Sequence, residues 1–230
     1  MQFRLSAVLG YKRKEHNIMK DLFKGCWTIP NLLSVIRILL IPVFAYLFYN
    51  DEKIWAVVIL AISGLSDTFD GQIARKFNQI SDLGKVLDPV ADKLTQIAIA
   101  IMLLIDFKSA QNPIINALGW VFLVFLIKEG IMIVGGLIML LLNIRPGAAE
   151  FWGKAATVVF YVGMVIIIAI GPEVGALNSL LGFELPNVLT GAIVVLCAIM
   201  TIAAFLSYMP ETFRQFKEYF DNRKAAKNNK

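Results

Sequence analysis

The chain has 230 residues, of which 58% are hydrophobic and 17% are charged, and its mean hydropathy is +0.69. A soluble domain has about a quarter charged residues, so this composition excludes an ordinary soluble protein and indicates a membrane protein with several spans. A single histidine excludes a histidine-based zinc site, and two distant cysteines provide neither a disulfide framework nor a metal-binding spacing.

Residues 1–27 form a basic and mildly amphipathic segment. We interpret it as a helix that lies on the cytoplasmic membrane surface, held by apolar contacts and by attraction to anionic lipid. A partly disordered tail is the alternative. The segment is not a cleavable signal peptide, because the run from Gly10 to His16 is charged where an apolar core would be needed.

Six apolar stretches follow, and each is long enough for one membrane crossing of about 20 residues. They cover residues 30–49, 53–76, 84–105, 113–142, 151–170 and 186–209. The sequence therefore predicts an all-α protein with one six-helix domain over residues 28–209 and a basic cytoplasmic tail over 210–230.

Lysine and arginine residues define the predicted orientation. They concentrate in the N-terminal segment, in the connections after the second and fourth spans, and in the C-terminal tail. Because positively charged loops stay in the cytoplasm, both termini and the second connection are predicted to be cytoplasmic in a multi-pass inner-membrane protein. The same bias explains the net charge of +5, so no nucleic-acid partner is expected.

Four aspartates flank the second connection. Asp67 and Asp70 end the second span, and Asp88 and Asp92 begin the third. Spacings of three and four place each pair on one helix face, and the short connection lets the two faces converge. Four carboxylates in a low dielectric repel one another and require cations, and oxygen-only ligands favour Mg²⁺ or Mn²⁺. Two such ions could clamp a pyrophosphate. The alternative is a charged collar of salt bridges with neighbouring basic residues.

Small residues accompany the acids. Gly71, Ala74 and Gly84 leave room for a flat group to approach the helices, and Arg75 can pair with a phosphate or with the acids. Asp88 with Pro89 is typical of a helix start, since proline is tolerated in the first turn.

The complete pattern, D-x2-D-G-x2-A-R-x8-G-x3-D-x3-D, resembles that of the CDP-alcohol phosphotransferases, also called class I CDP-alcohol phosphatidyltransferases. The first span, which begins Ile-Pro-Asn-Leu-Leu-Ser-Val-Ile-Arg, adds to the resemblance. It implies a phospholipid-synthesising enzyme that moves the phosphatidyl group of CDP-diacylglycerol to an alcohol acceptor and releases CMP. It also implies two divalent ions, Mg²⁺ or Mn²⁺, and a homodimer.

The resemblance implies a role for each matched residue. The metal ligands would be Asp67, Asp70, Asp88 and Asp92. Asp92 would also be the general base that takes the proton of the acceptor hydroxyl. The CDP group would contact Asp67, Asp70, Gly71, Ala74, Arg75 and Gly84.

The acceptor is less well defined. Within the family, the run from Ser81 to Leu94 is most similar to the phosphatidylglycerophosphate synthases, which use glycerol 3-phosphate. That branch has Arg-Glu in the fourth span and a second arginine about two turns later, whereas this chain has Lys128-Glu129 and glycine at the later position. Lysine lacks the two-pronged geometry of arginine. A cardiolipin synthase, whose acceptor phosphatidylglycerol carries one negative charge, is therefore the alternative.

Three basic residues are candidates for the acceptor phosphate, and each has a second interpretation. Lys128 could instead form an internal ion pair with Glu129, and Lys154 could be an ordinary interfacial lysine. Arg37, in the first span, could either neutralise the acidic cluster or reach a phosphate.

Two other classes of function also fit intramembrane acids. A divalent-cation transporter would place such acids near the bilayer midplane on broken helices, whereas these lie at one membrane surface. A non-catalytic scaffold has no need of four acids at metal-binding spacing. Metal-dependent release of CMP would exclude both.

Overall fold

The computed structural model describes residues 28–76, 84–142, 144 and 151–228, without the side chains of 30, 65, 67–76, 85–86, 140, 151 and 222–228. Every regular element in this part of the chain is a helix, which confirms the predicted all-α class. The helices are α1 (Ile29–Tyr49), α2 (Lys53–Lys76), α3 (Gly84–Ser109), α4 (Pro113–Leu141), α5 (Phe151–Ile170), α6 (Asn178–Leu181) and α7 (Asn187–Asn228). The surface helix predicted for residues 1–27 lies outside the described residues.

Four of the described helices, α1, α4, α5 and α7, are long and apolar enough to cross a membrane. In α2 the described stretch Lys53–Gly64 is apolar but shorter than these spans. The sequence of the second half of α2 contains several polar and charged residues. Charged residues also lie at both ends of α3. The described part of the chain thus supports a multi-pass membrane protein with four clear candidate spans.

The third and fourth described helices start at the predicted residues, 84 and 113, but Asp88 and Pro89 are not the helix start that their residue types suggested. The third helix begins at Gly84, about one turn before Asp88, so Pro89 lies inside the helix and not at its start. Since proline has no N–H, α3 lacks one internal hydrogen bond there. The start of α4 is as predicted, and the Oδ1 atom of Asn112 accepts a hydrogen bond of 2.9 Å from the N–H of Ile114.

The last helix, α7, is a single helix of 42 residues that continues through Pro210 to Asn228. The segment predicted as a separate basic tail is therefore largely the second half of this helix. An ion pair of 2.8 Å joins Arg214 to Glu211, and a longer one of 3.9 Å joins it to Glu218. Such pairs at spacings of three and four stabilise a helix that stands outside a core.

The helices divide into two compact units. The first lies within Met1–Phe44 and Ile59–Thr95, and the second within Ala45–Val58 and Gln96–Lys230. The interior of the first unit is rich in buried polar side chains: Asn31, Ser34, Arg37, Ser63 and Thr95. A polar interior in a membrane helix is expensive and commonly marks a functional site.

The second unit has an aromatic and aliphatic core. Phe125 stacks on Phe160 with ring centroids 4.5 Å apart, and α7 packs against α4 and α5. The helices α5 and α7 approach closely at Gly163, where a Cβ atom would lie 2.8 Å from the Sγ atom of Cys197. A side chain at this position would force the side chain of Cys197 or Ile193 to move.

We expect Gly163→Ala to destabilise the protein, because the new methyl group would overlap with Cys197. Overpacking of this kind costs about 1–3 kcal/mol, so the unfolding temperature in detergent should fall by roughly 2–12 °C. Gly136→Ala in α4 is the control, since no atom lies within 4 Å of its added Cβ. Equal unfolding temperatures for the two variants would contradict the close approach of α5 and α7.

Candidate active site

The first predicted pair of acids lies in the last turns of α2. The backbone that carries Asp67 and Asp70 is helical, as is that of Gly71, Ala74 and Arg75. The side chains of these five residues lie outside the described part of the structure. Their convergence with the second pair of acids is therefore still a prediction.

The second predicted pair, Asp88 and Asp92, lies in the first turns of α3, and both acids are held by α1. The hydroxyl of Ser34 donates a hydrogen bond to Oδ1 of Asp88. The Nη1 atom of Arg37 donates to Oδ1 of Asp92 over 2.8 Å, which is also an ion pair. Gly84, the remaining residue predicted for this helix, is buried at its first position.

Burial differs sharply across the ion pair. The side chain of Arg37 is 1% exposed, whereas that of Asp92 is 29% exposed. Removing either member of such a pair leaves the other charge poorly compensated, most severely the buried guanidinium. Arg37 thus pairs with one acid of the predicted cluster, and its contact with a phosphate stays a prediction.

Arg37 also lines a crevice of about 190 Å³ within the first unit. Its walls come from α1, α2 and α3: Leu40, Ile41, Phe44, Ile59, Leu60, Ser63 and Thr95. Because Arg37 is buried, its ion pair with Asp92 is screened less by salt than a fully exposed pair would be.

Lys128 and Glu129 form an ion pair in α4, in the second unit. The Nζ atom of Lys128 lies 2.5 Å from Oε1 of Glu129, and the two side chains are 11% and 1% exposed. The same Nζ atom lies 5.0 Å from the ring centroid of Phe125. The internal ion pair considered for these residues is thus present.

An apolar crevice of about 360 Å³ adjoins this ion pair, between α4, α5 and α7. Lys128 and Thr201 are polar residues of its lining, and Phe125, Phe160 and Val194 are among its apolar ones. Lys154, the other predicted phosphate contact, is exposed in the first turn of α5.

Metal binding is supported only in part by the geometry. Asp88 and Asp92 lie one helical turn apart and supply oxygen donors, which suit hard ions such as Mg²⁺. No group of three or more His, Cys, Asp or Glu side chains comes together among the residues that the structure describes. The other two predicted ligands, Asp67 and Asp70, have side chains outside that part.

Sequence reasoning missed Ser34. A lone serine in an apolar helix gives no periodic or charge signal, and small polar residues there more often serve helix packing. Its spacing of three from Arg37, which places both residues on one face of α1, was the available clue.

Comparison with known proteins gives a consistent result. The family model for CDP-alcohol phosphatidyltransferase matches residues 27–203. A protein of Pseudomonas fluorescens named CDP-diacylglycerol–glycerol-3-phosphate 3-phosphatidyltransferase is 30% identical over 206 residues, which are 86% of this chain and 96% of that protein. An Aquifex aeolicus protein of the same name is 28% identical over 83% of this chain and 99% of its own length.

A third relative has a different name. The cardiolipin synthase (CMP-forming) of Streptomyces coelicolor is 38% identical over 136 residues, which are 56% of this chain. This chain spans 60% of that protein and 64% of a putative cardiolipin synthase of Mycobacterium tuberculosis. The relatives therefore carry two kinds of name, glycerol-3-phosphate 3-phosphatidyltransferase and cardiolipin synthase.

We expect Lys128→Met to be strongly destabilising, because it removes a cation that lies 2.5 Å from the buried carboxylate of Glu129. Breaking a buried pair from one side costs about 3–5 kcal/mol, whereas replacing both members by apolar residues of similar size is often neutral. The double variant Lys128→Met with Glu129→Leu is the matched control, and thermal unfolding in detergent is the measurement. If the single variant is as stable as the double one, the pair is not buried as described.

Proposed function

The chain belongs to the CDP-alcohol phosphatidyltransferase family, and we propose that it transfers the phosphatidyl group of CDP-diacylglycerol to an alcohol acceptor with release of CMP. The observation that carries the proposal is the arrangement at the start of α3. There Asp88 and Asp92 lie one turn apart, and each is engaged by a side chain of α1. These are the last two acids of the D-x2-D-G-x2-A-R-x8-G-x3-D-x3-D pattern.

We assign the four acids of the pattern, Asp67, Asp70, Asp88 and Asp92, as ligands of two divalent ions, Mg²⁺ or Mn²⁺. When bound, such ions neutralise a diphosphate and stabilise the charge that develops on its oxygens. The remaining matched residues, Gly71, Ala74, Arg75 and Gly84, would contact the CDP group together with Asp67 and Asp70.

The proposed reaction assigns Asp92 a proton-transfer role. Its carboxylate accepts the proton of the acceptor hydroxyl, and the hydroxyl oxygen forms a bond to the phosphatidyl phosphorus. The bond between that phosphorus and the oxygen of the CMP phosphate breaks, and CMP leaves with the electron pair. The partial exposure of the Asp92 side chain, 29%, is compatible with an approaching acceptor.

The proposed topology has six spans. The helices α2 and α3 contain 24 and 26 residues, about 36 and 39 Å at 1.5 Å per residue, which exceeds a hydrocarbon core of about 30 Å. Ser34 contacts Asp88 and Arg37 contacts Asp92, so α1 and α3 run in the same direction at these contacts. In a six-span topology, the first and third spans cross the membrane in the same direction, in agreement with these contacts.

The proposed organisation follows from this topology. A cytoplasmic surface segment, 1–27, precedes the catalytic domain, 28–209, and the basic residues 210–230 follow it on the cytoplasmic side. Both termini and the active site would face the cytoplasm of a cell-membrane protein. A homodimer is the assembly that the family implies.

Glycerol 3-phosphate is the acceptor that we propose first, with phosphatidylglycerophosphate as the product. Two relatives named for that acceptor match this chain over nearly their whole length, 96% and 99%. In this reading Lys128 and the exposed Lys154 supply positive charge for the acceptor phosphate.

Phosphatidylglycerol is the second candidate acceptor, and a specific observation favours it. Lys128 is paired with Glu129 at 2.5 Å, so the two together offer little net charge to a dianion. The neighbouring crevice is lined mostly by apolar side chains, which suit contact with a lipid better than with a small anion. A phosphodiester with one negative charge needs less compensating positive charge from the site.

The deciding test is CMP release from CDP-diacylglycerol by the purified full chain in detergent with Mg²⁺. Glycerol 3-phosphate and phosphatidylglycerol are offered separately, with serine and inositol as controls. We expect stimulation by glycerol 3-phosphate, and reversible loss of activity when a chelator removes the divalent ions. Stimulation by phosphatidylglycerol alone would select the cardiolipin reaction, and no CMP release with any acceptor would contradict the proposed transfer.

We expect Asp92→Asn to reduce turnover by at least about 100-fold, because the amide accepts no proton and binds metal poorly. The variant should also unfold at a lower temperature, because it removes the anion beside the buried guanidinium of Arg37. Turnover and CDP-diacylglycerol binding are therefore compared at a temperature at which thermal unfolding shows the variant to be folded. Normal turnover in this variant would rule out the general-base assignment.

A further inference from the structure

We propose that Ser34 and Arg37 form a positioning template on α1 that fixes the orientation of Asp88 and Asp92. This inference rests on the proposed function and deepens it, since it assigns a task to two residues outside the aspartate pattern. Neither residue is proposed to touch the substrate. Each acts through the acid that it holds.

The register of the two helices is the first support. Ser34 and Arg37 lie three residues apart on one face of α1, and Asp88 and Asp92 lie four apart on one face of α3. Ser34 contacts Asp88 and Arg37 contacts Asp92 among the described residues, so the order of these contacts is the same along both helices. Two matched contacts fix both the rotation and the axial position of α3 against α1, which a single contact would not.

Burial of the donors is the second support. Ser34 is 0% exposed and Arg37 is 2% exposed, so water is a poor substitute for either acid. A buried guanidinium without an anion is strongly destabilising, and a hydroxyl gains from a charged acceptor. Both contacts therefore persist, and they restrict the side-chain rotamers of the acids.

Fixed side-chain rotamers of Asp88 and Asp92 suit the proposed metal binding. A metal site gains affinity when its ligands are held in place before the ion arrives, and partners behind the ligands commonly contribute about 10-fold or more to metal affinity or activity. Asp88 and Asp92 keep partial exposure while the donors behind them have none. The template therefore leaves the acids accessible.

Two variants test the template. Ser34→Ala removes one donor with little change in volume. Arg37→Lys keeps the positive charge but loses the planar fork of the guanidinium, so a changed metal affinity in this variant reports geometry and not charge repulsion.

Ser63→Ala is the matched control. Ser63 is 3% exposed in α2, lines the same crevice as Arg37, and its hydroxyl has no hydrogen-bond partner among the described residues. It therefore reports the effect of deleting a buried hydroxyl in this unit without disturbing an acid.

The first measurement is Mn²⁺ binding to the purified full chain without substrate, followed by electron paramagnetic resonance, with thermal unfolding as a check on folding. We expect Ser34→Ala and Arg37→Lys to weaken Mn²⁺ binding about 10-fold, and Ser63→Ala to bind within about twofold of the wild type. The second measurement is steady-state CMP release. At saturating metal, kcat should fall while the KM for CDP-diacylglycerol stays unchanged.

Wild-type Mn²⁺ affinity and kcat in folded Ser34→Ala and Arg37→Lys would overturn the template. A rise in the KM for the acceptor alone in Arg37→Lys would also overturn it, since that result would place Arg37 against the acceptor. Failure of the wild type to release CMP would instead refute the proposed function, while the Mn²⁺ titrations would still report on the template.

Discussion

A guanidinium buried among apolar helices must have an anion beside it, and much of the first unit depends on this requirement. Arg37 meets it through Asp92 at 2.8 Å. The pair fixes where α3 lies along α1, and the hydrogen bond from Ser34 to Asp88 fixes its rotation. Two acids on one turn are unfavourable neighbours, and the donors of α1 reduce the cost of keeping them together.

The second unit has a buried ion pair within one helix, whereas the pair of the first unit joins two helices. Lys128 and Glu129 are neighbours on one helix and neutralise each other beside an apolar crevice. A neutral pair gives little long-range attraction to a soluble anion, while its hydrogen-bonding groups still offer local specificity. The choice between the two proposed acceptors therefore depends on how much positive charge Lys128 offers beside Glu129.

Much of this organisation could be predicted from the sequence, because apolar blocks bounded by turn and charged residues define helices well. The predicted helices at 53–76 and 151–170 are confirmed as Lys53–Lys76 and Phe151–Ile170. The continuation of α7 past Pro210 was not predicted, since the loss of apolar residues hides a run of good helix formers. The role of Ser34 and the choice of partner by Arg37 depend on which helices lie side by side, and local sequence carries little of that information.

The length of α7 also bears on how the C-terminal charges act. If the helix crosses the bilayer along the normal, the part after Pro210 extends roughly 27 Å further, at 1.5 Å per residue. Electrostatic attraction between exposed charges fades over about 8 Å at physiological salt. Salt would then screen most of the attraction between anionic headgroups and the basic residues at the far end. Only the charges in the first turns after Pro210 would be attracted to the headgroups. A straight helix would thus extend its last turns into the aqueous phase, away from the membrane surface.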